Sequence, residues 1–247
     1  MQININIIIR CLVILILSAG QLPVSAQDDG QISCLLVPSE EIDLANEVPG
    51  VIRRINVDRG DYVKRGEVLL SLEQSLEVAE VELAQAKVEF LERKLQRNHE
   101  LIQKNLIADY EADELVTERD IALLELNSAR KKLEQKIIYS PVDAVVESRL
   151  VSKAEYAGTT PLMVLAVLDP LHAEIVMAAE YYGTISKDKM VTIIPEGGKF
   201  ENVTGRVKIV DQIIDAASNT FGIQVEIDNP DLKLPAGLRC EVKFVDN

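Results

Sequence analysis

Hydrophobic and polar positions change rhythm several times along this chain. From Gly50 to Glu73 (GVIRRINVDRGDYVKRGEVLLSLE) they alternate, with breaks at Gly60 and Gly66, which predicts short strands joined by glycine turns. An earlier apolar run, Gln31 to Pro38, reads as one more strand. From Gln74 to about Ile137 the texture differs: there is no Gly or Pro, and Glu, Leu, Ala, Lys, Gln and Arg dominate, all good helix formers. Val81, Val88, Leu95 and Ile102 recur once per heptad, with Ala84 and Leu91 between them. Leu115, Ala122 and Ala129 form a second series, with Leu126 and Leu133 at the alternate spacing. Sustained heptads predict a coiled-coil seam. The two series lose phase between Asn105 and Asp109, where Asp109 offers a cap for a new helix. Two antiparallel helices of about 30 residues, each about 45 Å long, are therefore expected. A single straight helix that dimerises is the alternative.

Strand texture returns after the helices, and it echoes the opening stretch. Gly50-Val51-Ile52 aligns with Ala144-Val145-Val146, and Gly60-Asp61-Tyr62 with Ala154-Glu155-Tyr156, at one constant offset. Gly66 pairs with Gly158 after a small deletion. Such an internal repeat predicts two halves of one β-domain, 47–73 and 138–168, separated in sequence by a helical hairpin over 74–137. The last segment, 169–247, holds short apolar runs (HAEIVMAA, KMVTIIP, VTGRVKIVD, GIQVEID, LRCEVKFV) with turn formers between them, such as Glu196-Gly197-Gly198 and Asp228-Asn229-Pro230-Asp231. That pattern predicts a small antiparallel barrel, with a strand from 31–46 joining it. The expected fold class is mainly β with an α-helical hairpin: a split β-domain interrupted by an antiparallel coiled coil, then a β-barrel.

The N-terminus changes the expected compartment. Arg10 precedes the apolar run CLVILILSAG (Cys11 to Gly20), and Val24-Ser25-Ala26 supplies small residues for cleavage, so 1–26 reads as a secretory signal. The run is short for a membrane span of about 20 residues, although Ile7 to Ile9 extend it across Arg10 into a candidate uncleaved anchor. Cys34 lacks the leucine expected before a lipoprotein cysteine. Cleavage removes Cys11 and leaves Cys34 and Cys240. In an oxidising compartment that pair invites a disulfide, and two buried thiols on neighbouring strands is the alternative. Both lie in apolar runs at the two ends of the mature chain, so they are expected to be close; a Cα separation beyond about 7 Å would exclude a bridge.

Composition removes several functions. A net charge of −14 repels nucleic-acid backbones, and the absence of Trp, with only 4% aromatics, leaves little for base or sugar stacking. The only histidines, His99 and His172, have no metal-ligand spacing, and no P-loop, dinucleotide fingerprint or nucleophile elbow occurs. Asn202-Val203-Thr204 is a glycosylation sequon of the kind that occurs by chance. No catalytic residue, metal ligand or cofactor is expected. Glycine-punctuated strands like those of Gly50 to Glu73 also build domains that carry biotin or lipoic acid on a lysine at a tight hairpin. Here the helical segment fills that junction, and Lys136, between Gln135 and Ile137, does not resemble a ligase target. A covalent carrier subunit and a secreted coiled-coil scaffold remain open readings.

Split halves of a lipoyl- or biotinyl-like domain around a coiled-coil hairpin, then a β-barrel, behind a signal, resemble the periplasmic adaptor subunits (membrane fusion proteins) of bacterial tripartite efflux pumps. This is the haemolysin-secretion-D-like and resistance-nodulation-division adaptor family. The resemblance covers nearly all the mature chain. It rests on Pro49-Gly50-Val51-Ile52, on Val57 to Leu69 (VDRGDYVKRGEVL), on Ile138-Tyr139-Ser140-Pro141-Val142-Asp143, similar to the family's I-x-A-P-F-D-G, and on Leu234-Pro235-Ala236-Gly237-Leu238, similar to L-x-P-G-M. It implies a non-enzymatic periplasmic protein, associated with the inner membrane through its transporter, that links an efflux transporter of the resistance-nodulation-division or ATP-binding cassette type to an outer-membrane channel for small-molecule export. It also implies self-association into a ring and no nucleic-acid partner. In the family the hairpin tip docks on the channel through an Arg, a Leu and a Ser, here at Arg97, Leu101 and Ala108, the last a departure from the Ser. As ordinary coiled-coil residues, Arg97 and Leu101 would have no such role. Ala144 and Ala154 stand where the family favours Gly, so differently shaped loops are expected there. Many adaptors add a membrane-proximal β-domain built from both termini; only a short tail follows Phe244, so that domain is expected to be missing.

Overall fold

The computed structural model describes residues 32–104, 108–158 and 160–244. The expected signal at 1–26, with Cys11, lies outside the described residues. The chain forms β1 (Ile32–Leu44), β2 (Gly50–Ile55), β3 (Tyr62–Val63) and β4 (Val68–Leu72) before two helices, α1 (Ser75–Gln103) and α2 (Asp109–Glu134). It continues with β5 (Ile137–Tyr139), β6 (Ala144–Arg149), β7 (Tyr156–Ala157) and β8 (Met163–Ala178). After a 3-10 turn (Ala179–Tyr181) come β9 (Met190–Pro195), β10 (Val203–Val210), β11 (Thr220–Ile227) and β12 (Arg239–Phe244). The fold is mainly β with a helical hairpin.

Six strands close into a barrel in the order β1, β12, β9, β10, β11, β8, and β8 pairs back onto β1. Closure leaves no open edge, and strict alternation fills the interior. Leu171, Ala173, Ile175 and Met177 of β8 point inward opposite Ile227, Val225, Ile223 and Phe221 of β11. Gly205 is the tight spot of β10: a Cβ there would meet Val225, Glu226 O at 3.0 Å and Ile227 Cγ1 at 3.1 Å. Cys34 of β1 faces Cys240 of β12, with Cα atoms 4.8 Å apart and sulfurs joined at 2.03 Å. The bridge spans the seam at which the N-terminal strand meets the last strand.

The second β-domain is built from the repeat, and its two halves exchange strands. Gly50 and Val51 of β2 pair with Ala157 and Tyr156 of β7; the equivalent Ala144 and Val145 of β6 pair with Val63 and Tyr62 of β3. The loop hydrogen bonds repeat the same symmetry. Gly60 N–H donates to Val146 O at 2.8 Å, and Ala154 N–H donates to Ile52 O at 2.8 Å. Asp61 and Glu155, also equivalent, each accept a 2.7 Å bond from the backbone N–H of the residue three positions earlier, Asp58 and Ser152. Ile52, Val63, Leu69, Leu70, Leu72, Val146, Leu162, Met163 and Leu165 form the shared core.

One expectation is corrected by these details, and one expected boundary falls within a strand. Ala154 takes φ 68, beside φ 92 at its counterpart Gly60, so the alanine keeps the glycine turn and bears the left-handed strain instead of reshaping the loop. The expected boundary at 168/169 falls inside β8, whose Met163–Val167 part pairs with Leu44–Glu40 of β1 in the split domain, while Leu171–Ile175 pairs with Pro38–Cys34 in the barrel. Asp169-Pro170 reads as a breaker in sequence, yet the ladder runs on either side of it. The joining strand is thus shared by both domains, with a bulge between Pro38 and Glu40.

Candidate functional site: the hairpin, its base and its tip

Helix formers without Gly or Pro make α1 29 residues long and α2 26, about 43 and 39 Å. Their heptad positions meet. Val88, Leu91, Ala122 and Leu126 form a buried cluster with Val81 and Ala84 packed against it, and Leu115 and Ala129 are buried on the same line. Leu95 and Leu133, expected in the seam, are half-buried. Three ion pairs run beside the seam at heptad spacing: Glu80 with Lys132 at 3.6 Å, Lys87 with Glu125 at 2.6 Å, and Lys94 with Glu118 at 3.3 Å. Each heptad forward on α1 is a heptad backward on α2, so the helices are antiparallel within one chain. Beside the ladder, Arg119 binds Asp120 at 2.7 Å. Exposed pairs are individually weak; their use is to fix register. Charges flanking each seam position were the available sequence signal for this ladder.

At the base, Lys136 is held from both sides. Its Nζ lies 3.1 Å from Glu77 and donates to Pro49 O at 3.3 Å, and its side chain is only 15% exposed. Lys136 O accepts from Leu72 N–H at 2.8 Å, and Gln135 Nε2 donates to Glu47 at 3.1 Å. The ammonium that a carrier domain would present on a turn is here occupied in a clamp. Ser140 of the return motif exchanges backbone bonds with Gly66 and Glu67 (2.8 and 2.9 Å), and Asp143 accepts from Arg65 N–H at 2.7 Å, fastening the halves beside the hairpin.

At the far end, Arg97 and Leu101 stand one turn apart on α1. Both are outside the seam: Leu101 is 41% exposed, and Arg97 is exposed without an ion pair among the described residues. Leu76, Leu83, Phe90 and Arg97 follow each other at heptad spacing on the outward face, the first three being exposed apolar side chains. Ala108, not Asp109, occupies the N-cap of α2 and supplies no side-chain bond to the helix N–H groups. Residues 105–107 between the helices lie outside the described residues, and no hydrogen bond joins Ala108 to Arg97 or Leu101 among the described ones.

The two histidines lie far apart in the chain, His99 between Arg97 and Leu101 on α1 and His172 on β8. His99 shares a 2.9 Å bond with Gln103 on α1. His172 points out of the barrel into the junction with the split domain, where burial first and Lys208 second push its pKa below the usual 6.5. Its Nε2 is 3.9 Å from Glu226, which is engaged by Lys208. Among the described residues no group of His, Cys, Asp and Glu is arranged to hold a metal ion, and no helix is long and apolar enough to cross a membrane.

No family model matches the chain. The efflux pump periplasmic linker BepD of Brucella suis is 22% identical over 236 residues, 83% of this chain and 59% of BepD. The chain spans less than three fifths of the length of the curated relatives it matches. Among solved structures, a MacA–MexA chimera carrying the Pseudomonas aeruginosa MexA α-hairpin superposes with a TM-score of 0.74 at 19% identity, covering 87% of this chain and 82% of the chimera. The membrane fusion protein Spr0693 of Streptococcus pneumoniae superposes with a TM-score of 0.68 at 14% identity, covering 88% and 99%. The fold of this chain is thus the one seen in these solved structures, a membrane fusion protein among them.

Proposed function

We propose that this protein is a periplasmic adaptor that links an inner-membrane efflux transporter to an outer-membrane channel for export of small molecules. The observation that carries the reading is the hairpin itself: two helices fixed in register by a buried seam and a three-rung charge ladder, and clamped at Lys136 to a strand-exchanged β-domain. A rod built this way transmits position, not chemistry. In this reading the β-domain is lipoyl-like and stacks side by side with other copies in a ring. The barrel lies at the transporter, and Arg97, Leu101 and Ala108 meet the channel. The printed descriptions of the relatives, a periplasmic linker and a membrane fusion protein, support the same role.

Cells lacking the chain are expected to accumulate a fluorescent efflux substrate. The wild-type chain restores export, and Arg97→Glu/Leu101→Asp, whose side chains are exposed and outside the seam, folds but does not restore it. Normal accumulation without the chain, or full restoration by the double variant, would count against the adaptor and its docking tip respectively. The carrier alternative makes a separate prediction, an added biotin or lipoyl group in the intact mass of the purified protein.

A further inference from the structure

The repeat gives the split domain two equivalent outer faces, and their charges are opposite. Each half has a bulge at the same place in the repeat, between Ile52 and Arg54 and between Val146 and Ser148. The first leaves Arg53 and Arg54 exposed, the second Glu147. Beside each bulge a tyrosine pairs with a valine, Tyr156 with Val51 and Tyr62 with Val145. The first face adds Lys153, which lines one hollow with Arg53, Arg54, Ser71 and Gln74. Its neighbouring acids, Glu73 and Glu155, accept from the N–H groups of Ser75 and Ser152 at 3.2 and 2.7 Å. The second face adds acids from its edge strand. Ile42 and Leu44 of β1 pack against the shared core, so Glu41 and Asp43 point outward, in the rows Tyr62–Val145–Ala166–Glu41 and Ser148–Val164–Asp43. Arg59, the equivalent of Lys153, borders this face without balancing it. Arg53, Arg54, Lys153, Glu41, Asp43 and Glu147 all lie outside the ion pairs found among the described residues. On a chain of net charge −14, three cations gathered without counter-ions stand out.

We infer that copies of this chain associate head to tail through these faces, the Arg53, Arg54 and Lys153 face of one on the Glu41, Asp43 and Glu147 face of the next. The inference rests on the side-by-side stacking read above and adds which surfaces meet and with what polarity. Their match follows from the repeat. One offset relates the two faces, so the tyrosine–valine pair and the bulge stand in the same arrangement on both, while the charge differs. Like faces repel, which disfavours the two-fold arrangement in which each face meets its own counterpart. A heterologous contact remains, and repetition of it closes a ring or runs on as a filament. The tyrosines, 67% and 48% exposed at Tyr156 and Tyr62, supply the apolar centre of the contact. Exposed ion pairs add little affinity one by one; here they choose the face and the orientation, so association weakens as salt rises.

Tyr156→Cys and Tyr62→Cys each place one reactive thiol on one face of the exported chain, whose Cys34 and Cys240 are joined to each other. With a short bismaleimide at low salt, a mixture of the two purified chains is expected to give a linked dimer, and either chain alone none. Arg53→Glu/Arg54→Glu in the Tyr156→Cys chain is expected to abolish the link, as is Glu41→Lys/Asp43→Lys in the Tyr62→Cys chain. Mixing the two reversed chains is expected to restore it, a recovery that damage to the fold would not produce; thermal melting checks that each variant is folded. Linking of Tyr156→Cys chains to one another, no link in the mixture, or a link unmoved by the reversals overturns the proposal. Loss in both reversed chains without recovery when they are mixed means that the two faces do not meet, and overturns it too. Linking needs no transport. Efflux by the chain without any link would sink this inference and leave the adaptor reading standing, and linking without efflux would do the reverse.

Discussion

At single residues, backbone and protonation make the sharpest predictions. Ala154 holds a left-handed conformation that costs an ordinary residue about 1–2 kcal/mol, while glycine's extra unfolded-state freedom returns part of that. Ala154→Gly is therefore expected to stabilise the protein by about 0.5–1 kcal/mol in chemical denaturation, whereas a loss would mean the turn is not strained. Gly205→Ala is expected to destabilise the barrel by about 1–3 kcal/mol, because its Cβ would press on the Glu226 carbonyl and on two packed side chains. His172 sets a pH dependence. Burial and Lys208 lower its pKa in the folded state, despite the opposing pull of Glu226, Glu174 and Glu40. The unfolded chain then binds more protons just below the ordinary value of 6.5, so stability falls as pH drops from 7 towards 5, at up to about 1.4 kcal/mol per unit. His172→Gln is expected to flatten that stretch of the stability curve; an unchanged slope would place the titration elsewhere.

At the level of elements, the hairpin was legible because the seam is written twice, once per helix, at a period that no strand uses. Leu91→Asp, in the seam, is expected to cost several kcal/mol through a buried unpaired charge and to lower helicity by circular dichroism. Leu83→Asp, on the outward face, is expected to leave helicity unchanged. Equal effects would mean that the seam does not hold the helices. The strand repeat was legible for a similar reason: one offset relates Gly50 to Ala144, Gly60 to Ala154 and Tyr62 to Tyr156, and the register pairs follow that offset. Less legible was the sharing of β1 and β8 between two domains. A local pattern reports strand or turn, and Asp169-Pro170 reports turn, whereas continuity across it depends on partners far away in sequence. The Lys136 clamp was hidden likewise: its partners Glu77 and Pro49 carry no mark of the contact until the two halves close around the hairpin.

At the level of the whole molecule, a barrel and a strand-exchanged β-domain share two continuous strands, and a helical rod is clamped to the second by its base. The barrel's last strand is tied to its first by Cys34 and Cys240. If export depends on how far the rod reaches, shortening it without loosening it is the direct test. Removing one heptad from each helix in register, 84–90 and 122–128, takes out the middle charge rung, Lys87 with Glu125, keeps the outer two in register and shortens the hairpin by about 10 Å. The measurement is efflux of a fluorescent substrate from cells carrying this variant in place of the wild-type chain, with the purified variant checked for helicity and cooperative melting. The account predicts a folded protein that no longer supports export. A folded, shortened variant that exports as well as the wild type would contradict it.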